Sequence, residues 1–156
     1  MMTSRVPAAV DALLAILRAT PALTADDLLI VDGPPVVNYT QRRRLYVGWQ
    51  PSAEIAVSLE QAFNSAGART RDEAFEIPCY AEARSGDTTM KDRRDEVFAL
   101  VAQVETALRA TNAAPTAPTL NGTVMWAHLT AGDLTQVQDQ GSLAGLAFTV
   151  TCQARI

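Results

Sequence analysis

Residues with catalytic or metal-binding side chains are scarce in this chain of 156 residues, which has one histidine, His128, and two cysteines, Cys79 and Cys152. No cluster of Cys, His and carboxylate ligands with the spacing of a metal site surrounds them. The Gly-x-Ser-x-Gly nucleophile elbow, the phosphate loop and the three-glycine dinucleotide motif are absent as well. The sequence therefore predicts no catalytic residue, no cofactor and no metal, and it predicts that both cysteines are free, buried thiols.

Long hydrophobic runs and an excess of positive charge are also missing. No apolar run approaches the ~20 residues that span a bilayer, so we expect a soluble protein with no membrane partner. Lys and Arg together number 13 and Asp and Glu 17, which gives a formal net charge of -4. Proteins that hold nucleic acid by neutralising phosphates are usually basic, so tight nucleic-acid binding is disfavoured.

The clearest structural pattern lies in residues 69–111. Its first part alternates with the two-residue period of a half-buried strand, with Tyr80 and Glu82 on the polar side. The apolar side consists of Phe75, Ile77, Cys79, Ala81 and Ala83. A turn follows, and Asp87 or Thr88 is predicted to cap a long helix. The apolar face of that helix consists of Val97, Leu100, Val101, Val104 and Leu108.

The remaining patterns complete the fold prediction. A first helix is predicted to begin with Ser4 as its cap and to end near Pro21. Further strands are predicted at 28–31, 44–49, 54–63, 123–138 with an interruption at 131–133, and 146–156. The segment 54–63 would also suit a helix, 64–67 and 141–143 are predicted turns, and 112–121 is a predicted extended linker. The order helix, four strands, helix, two strands predicts an α+β fold with two helices on one face of a mainly antiparallel, mixed sheet of about six strands.

One basic cluster stands out, formed by Arg42, Arg43 and Arg44 between a loop at residues 38–40 and a predicted strand. It would serve either as a charged strand entry that protects a sheet edge or as part of an interface. We expect residues 32–44 to form an arm that contacts another subunit or partner. The candidate interface residues are Arg42, Arg43, Arg44, Tyr39, Asp87, Arg93 and Arg94.

Several segments, taken in order, resemble the tail terminator proteins of long-tailed bacteriophages. They are SRVPAAVDALLAILRA, VDGPPV, LYVGW, RTRDEAFEIPCY running into SGDTTMKDRRDEVFALVAQVETALR, and the terminal FTVTCQARI. The similarity is to the actinobacterial phage and prophage type, also described as minor tail or tail-to-head joining proteins. It extends from about Ser4 to Ile156, so the resemblance implies one tail-terminator-like domain over residues 1–156.

The resemblance implies a structural virion protein without enzymatic activity. Such a protein assembles in the bacterial host cytoplasm as a hexameric ring on the head-proximal end of the tail tube, where it stops tube growth. Its partners are other copies of itself, the tail tube protein and the head-tail connector or stopper protein, while DNA only passes through the lumen. Two alternatives remain: a head-side connector or stopper ring, and a small α+β enzyme or ligand-binding domain dependent on His128, Tyr80 or Asp87.

Overall fold

The computed structural model describes residues 3–36, 39–67 and 69–156. Within these ranges the chain forms two α-helices, α1 (Val6–Ala19) and α2 (Met90–Ala107), and two short 3-10 helices, Pro21–Leu23 and Ala117–Thr119. The six strands are β1 (Leu28–Asp32), β2 (Arg43–Val47), β3 (Ser58–Phe63), β4 (Arg71–Ser85), β5 (Trp126–Gln138) and β6 (Ser142–Arg155). The fold is α+β, with two helices and a mixed, mostly antiparallel sheet, as the sequence predicts.

The sheet has the strand order β1-β2-β4-β6-β5, with β3 paired to β4 beside this path. Among the strand pairs that the described residues form, only β1–β2 is parallel. β6 follows β4 along its whole length, whereas the other side of β4 is shared by two short strands. β3 pairs with residues 71–76 of β4 and β2 pairs with residues 79–83, so β2 and β3 lie end to end. One border of the sheet is therefore stepped, and β5 alone forms the other.

Pro78 lies in β4 at the point between the ends of β3 and β2. Its carbonyl oxygen accepts a hydrogen bond from the Gly48 amide at 2.8 Å. Because the N–H and C=O of one strand residue point to the same side, the proline nitrogen also faces this junction. A residue without an N–H is tolerated here because no ladder bond is needed between the two short strands.

Both helices pack on one face of the sheet and form a single apolar cluster with it. The predicted alternation in β4 is confirmed, since Phe75, Ile77, Cys79, Ala81 and Ala83 are each at most 2% exposed. The predicted apolar face of α2 is buried as well. Burying each large apolar side chain contributes roughly 1.5–3 kcal/mol, so this cluster is the main source of stability. Cys79 and Cys152 lie in it as free, buried thiols.

The opposite face of the sheet carries a second, smaller cluster of Val31, Tyr46 and Tyr80. The ring centroids of Tyr46 and Tyr80 are 6.1 Å apart, and that of Trp49 is 4.9 Å from Tyr46. The side-chain amide of Gln50 donates to two strand carbonyls, at 3.2 Å and 2.9 Å, and ties the loop after β2 to the sheet. Tyr80 thus lies on the predicted side of β4, but it is buried rather than solvated.

Both helix starts differ from the prediction. The N-cap of α1 is Arg5, and Ser4 Oγ accepts from the Val6 amide at 3.0 Å. The Glu73 carboxylate, fully buried at the edge of the core, accepts from the Arg5 amide at 2.8 Å. At α2 the N-cap is Thr89, because Asp87 Oδ1 accepts the Thr89 amide and this turn precedes the helix.

Five predicted strand, loop and turn boundaries also differ. The strand predicted at 54–63 forms only from Ser58, and the strand predicted from 44 to 49 runs from Arg43 to Val47. Residues 123–125 precede β5, and its register shift lies at Leu129/Ala131. The linker prediction at 112–121 is wrong in part, because Leu120 is buried and ends a 3-10 helix with φ 45°. The turn predicted at 141–143 is wrong, since β6 already begins at Ser142 and pairs with Ser85.

Neither helix in the described ranges combines the length and the apolar character needed to cross a membrane.

Candidate functional site

The first candidate surface is a group of ion pairs that we call the charged corner: Asp27, Arg42, Arg43, Arg93 and Glu96. Arg42 donates to Glu96 at 2.6 Å and so joins the start of β2 to α2. Arg43 binds both oxygens of Asp27, at 2.8 Å and 2.9 Å, which is the bidentate geometry of a guanidinium on a carboxylate. These bonds connect the loop before β1, the entry of β2 and the second helix.

Charge on these groups is stabilised by the contacts within the corner. The hydrogen bond from Arg43 holds the pKa of Asp27 below its ordinary value, and the hydrogen bond to Glu96 raises the pKa of Arg42. The Asp27 side chain is 42% exposed and Arg42 is 37% exposed, so solvent weakens both interactions. The corner therefore positions elements rather than providing a reactive group.

Arg93 and Asp87, two of the predicted interface residues, lie next to the corner. Arg93 is only 6% exposed, with a 3.1 Å contact to Glu96 and a 4.0 Å contact to Asp87. Asp87 accepts from the Thr89 amide at 3.0 Å, and this bond chiefly lowers its pKa. Hydroxyls of Ser85 and Ser142 donate to the same carboxylate. The side chains of Arg93 and Asp87 thus bind groups within the same chain.

Arg44 lies on the other face of the sheet, because successive residues of a strand alternate. It donates to the backbone carbonyls of Tyr39 at 2.6 Å and Gln41 at 3.1 Å, and its guanidinium carbon is 5.6 Å from the Tyr39 ring centroid. Glu82 is 3.9 Å away, and burial raises the pKa of Glu82 while Arg44 partly offsets that effect. The arginine triplet is therefore divided between two faces.

The predicted candidates thus do not form one surface. Arg94 is separate from the rest, with a 2.9 Å hydrogen bond from α2 to Gln136 of β5. Part of the predicted arm, Val37 and Asn38, lies outside the described residues. The described part of the arm includes Val36, which is 83% exposed. Whether the arm contacts another subunit or partner stays a prediction.

The second candidate surface is the open edge formed by β5, which was not singled out from the sequence. Within the described part of the chain, β5 pairs with β6 on one side only, and eleven of its thirteen residues are exposed. It contains a single charged residue, Asp133, and no proline. Trp126, Leu134 and Val137 are 38%, 38% and 58% exposed. Long edges of this kind are usually protected by charges, prolines or a cover, so its low charge was the signal in the sequence.

An apolar cleft of about 500 Å³ opens between α2 and this edge. Its walls include Phe98, which is 49% exposed, and Leu134, and Glu105 and Thr130 lie among the lining residues. None of His128, Tyr80 and Asp87 lines the cleft, although they are the residues on which an enzymatic function was predicted to depend. His128 is exposed, with its ring centroid 4.6 Å from that of Trp126.

Metal-binding chemistry has no support in the described part of the chain, where no three His, Cys, Asp or Glu side chains are grouped closely enough to hold an ion. The arrangement offers an open strand, an apolar cleft and a self-contained group of ion pairs. These features suit association with a protein partner.

In comparisons with known proteins, the sequence matches no protein-family model and no curated protein.

Proposed function

We propose that this chain is a structural subunit of a tail terminator ring, which caps the head-proximal end of a phage tail tube, stops tube polymerisation and joins the tail to the head connector. The sequence resemblance suggests this role. The observation that supports it best is the long, nearly uncharged open edge of β5. A strand that offers unpaired N–H and C=O groups together with exposed apolar side chains is suited to binding another protein chain.

The shape of the sheet is compatible with a ring. Its two borders differ, since one is stepped and includes β3 while the other is β5 alone. Contact between two different patches is heterologous, and repetition of such a contact closes into a ring when the rotation per subunit allows it. A hexamer is the proposed closed form.

The charge of the chain fits passage of DNA through such a ring. The formal net charge of -4 gives no general attraction for phosphates, and a lumen rich in free Lys and Arg would retard the DNA. The three arginines of the predicted arm all have acidic or carbonyl partners within the chain. Low affinity for the passing DNA follows from both features.

The proposal is tested with tail tubes purified from the phage or prophage that encodes the chain. Tubes incubated with the purified protein should carry a ring at one end in negative-stain images, and addition of free tube protein should no longer lengthen them. Binding to DNA-filled heads in preference to tubes would identify a stopper ring instead. Continued growth of tubes in the presence of saturating protein would contradict the proposal.

Charge reversal of the whole arginine triplet is a poor test of the interface prediction, because it would break the Arg42–Glu96 and Arg43–Asp27 pairs within the subunit. Arg84 lies at the same end of the sheet with a side chain that is 46% exposed, and among the described residues it makes a single, longer ion pair of 3.7 Å with Glu82, so it gives a cleaner comparison. If that end contacts the tube, Arg84→Gln, which removes the charge without placing a second carboxylate beside Glu82, should weaken tube binding and change the thermal stability of the free subunit little.

A further inference from the structure

We infer that copies of this chain associate head to tail, with the β3 edge of one copy against the β5 edge of the next and the Phe63 ring of the first copy in the apolar cleft beside α2 of the second. This inference rests on the proposed ring-forming function and names the contact from which the ring is built. It concerns the subunit contact alone and leaves the tube contact open.

The choice of edges follows from the pairing of the sheet. β3 and β5 each have one strand neighbour in the described ranges. β1 also lies at a border, but Arg18 donates across it to the Ile30 carbonyl at 3.4 Å, so that edge is partly occupied. The stepped border therefore offers β3 as its more open strand.

The directions of the two strands allow a simple continuation of the sheet. β3 is antiparallel to β4, β4 is antiparallel to β6, and β6 is antiparallel to β5, which makes β3 and β5 antiparallel to each other. Moving one copy sideways, without turning it over, places its β3 antiparallel to β5 of its neighbour. The helices of both copies then lie on the same side of the extended sheet.

Phe63 supplies the projecting apolar group on the β3 edge. It is 68% exposed, and Leu59 on the same strand is 43% exposed. Leu59 pairs with the core residue Phe75, so Leu59 and Phe63 both face the helix side. With about 150–250 Å² for an aromatic side chain, the exposed part of Phe63 amounts to about 100–170 Å² of surface that association could bury.

The cleft is the matching receptor on the β5 edge. It is also on the helix side, between α2 and the strand, and its volume of about 500 Å³ exceeds that of a phenyl ring. Gly132 contributes no side chain, so the cleft stays open beside the strand. Phe98 and Leu134, both partly exposed, would lose their remaining contact with water when a ring enters.

Charges around the two surfaces are complementary. Arg71 is the register partner of Phe63 and therefore stands on the same side of the sheet. It forms no ion pair among the described residues. At the cleft, the Glu105 side chain is 55% exposed and has only an exposed 3.4 Å contact with Arg109. An approaching Arg71 would meet this carboxylate, which favours a second copy as the occupant.

The test uses two variants that each block one half of the contact. Phe63→Asp removes the projecting ring and Phe98→Asp replaces an apolar wall of the cleft with a carboxylate, and Ile55→Asp is the matched control because Ile55 is 66% exposed but lies outside β3. Self-association is measured by sedimentation velocity and native mass spectrometry up to about 1 mM, which detects interactions of about −4 kcal/mol. Each blocking variant should associate about 30-fold more weakly or worse, and the control should match wild type.

Mixing the two blocked variants gives the decisive result. The intact cleft of Phe63→Asp can accept the intact ring of Phe98→Asp, so the mixture should form a 1:1 dimer and nothing larger. A charge exchange adds a second readout, since Arg71→Glu and Glu105→Arg should each weaken association and the double variant should recover it. Circular dichroism confirms that each variant is folded, and Leu134→Asp replaces Phe98→Asp if the latter unfolds.

The inference is overturned if wild type stays monomeric over this range, if the mixture stays monomeric, or if Ile55→Asp weakens association as much as Phe63→Asp. These outcomes differ from failure of the proposed function. Tube capping by Phe63→Asp at the wild-type level would refute the contact and leave the terminator role standing. Rings that form through this contact but leave tube growth unaffected would refute the terminator role alone.

Discussion

Replacement of Gly145 by alanine should destabilise the protein, because Tyr80 lies directly over this glycine. A Cβ atom added to Gly145 would collide with Oη and Cζ of Tyr80 and would stand 2.7 Å from its Cε1. The tyrosine has little room to move, since it is 6% exposed and packs against the rings of Tyr46 and Trp49. The substitution therefore forces a shift in a closely packed group.

The size of the effect follows from two opposing contributions. Overpacking of this kind costs about 1–3 kcal/mol, whereas replacing a strand glycine with alanine recovers about 0.5–1 kcal/mol of conformational entropy. The overlap with two atoms of Tyr80 places the cost in the upper part of its range, at about 2–3 kcal/mol, so we expect the free energy of unfolding to fall by about 1–2.5 kcal/mol. This corresponds to a loss of about 2–10 °C in Tm for a chain of this size. Urea unfolding followed by circular dichroism measures the change.

Gly132→Ala is the matched control on the neighbouring strand. A Cβ atom there would meet Leu146 Cδ1 at 3.5 Å and the Ala147 carbonyl oxygen at 3.6 Å, which are ordinary contacts. This variant should be as stable as wild type or slightly more stable. Combining Gly145→Ala with Tyr80→Leu should recover about 1 kcal/mol relative to the sum of the single changes. The reasoning is refuted if Gly145→Ala is fully stable or if the double variant shows no such coupling.

Two further predictions concern buried ionisable groups. Burial alone would raise the pKa of Glu73, but hydrogen bonds from Ser4, Gln61 and the Arg5 amide hold it below its ordinary value of 4.5. Glu73→Gln should therefore lower stability by about 1–3 kcal/mol at neutral pH, and the difference should shrink as pH falls below 4.5 in urea titrations. Burial raises the pKa of both Cys79 and Cys152 to about 12, so a thiol reagent at about pH 8 should label neither in the native protein and both in denaturant.

The fold was predictable where the apolar residues recur at the regular spacing of one strand or one helix. The apolar residues of β4 recur every second residue and those of α2 every three or four residues, and each predicted core residue in them is buried. Boundaries were less predictable because they depend on tertiary partners. The start of α1, for example, is held by the Glu73 carboxylate, which is 68 residues away from Arg5 in the chain.

The candidate surfaces were predictable only in part, because charge in a sequence does not reveal its partner. Arg42 and Arg43 were candidates for a charged strand entry or for an interface, and their partners Glu96 and Asp27 come close only when α2 and β1 pack beside β2. The open edge of β5 depends on strand order, which periodicity does not determine. Phe98 lies outside the predicted apolar face of α2, whereas Phe63 fits the alternation of its strand but stays exposed because no described element of the chain covers that end of β3.

Because β2 and β3 meet end to end at Pro78, the loop that connects them can change in length without disturbing the pairing of the sheet. β2 and β3 are held by different stretches of β4, so residues 51–57 between them complete no part of the ladder. Insertions or deletions within the exposed residues 51–56 should therefore destabilise the fold little, whereas Val57 packs on the apolar core. This makes the loop a suitable place to graft an epitope or a fluorescent label without altering either border of the sheet, and a place where natural variants of the protein are free to diverge in length.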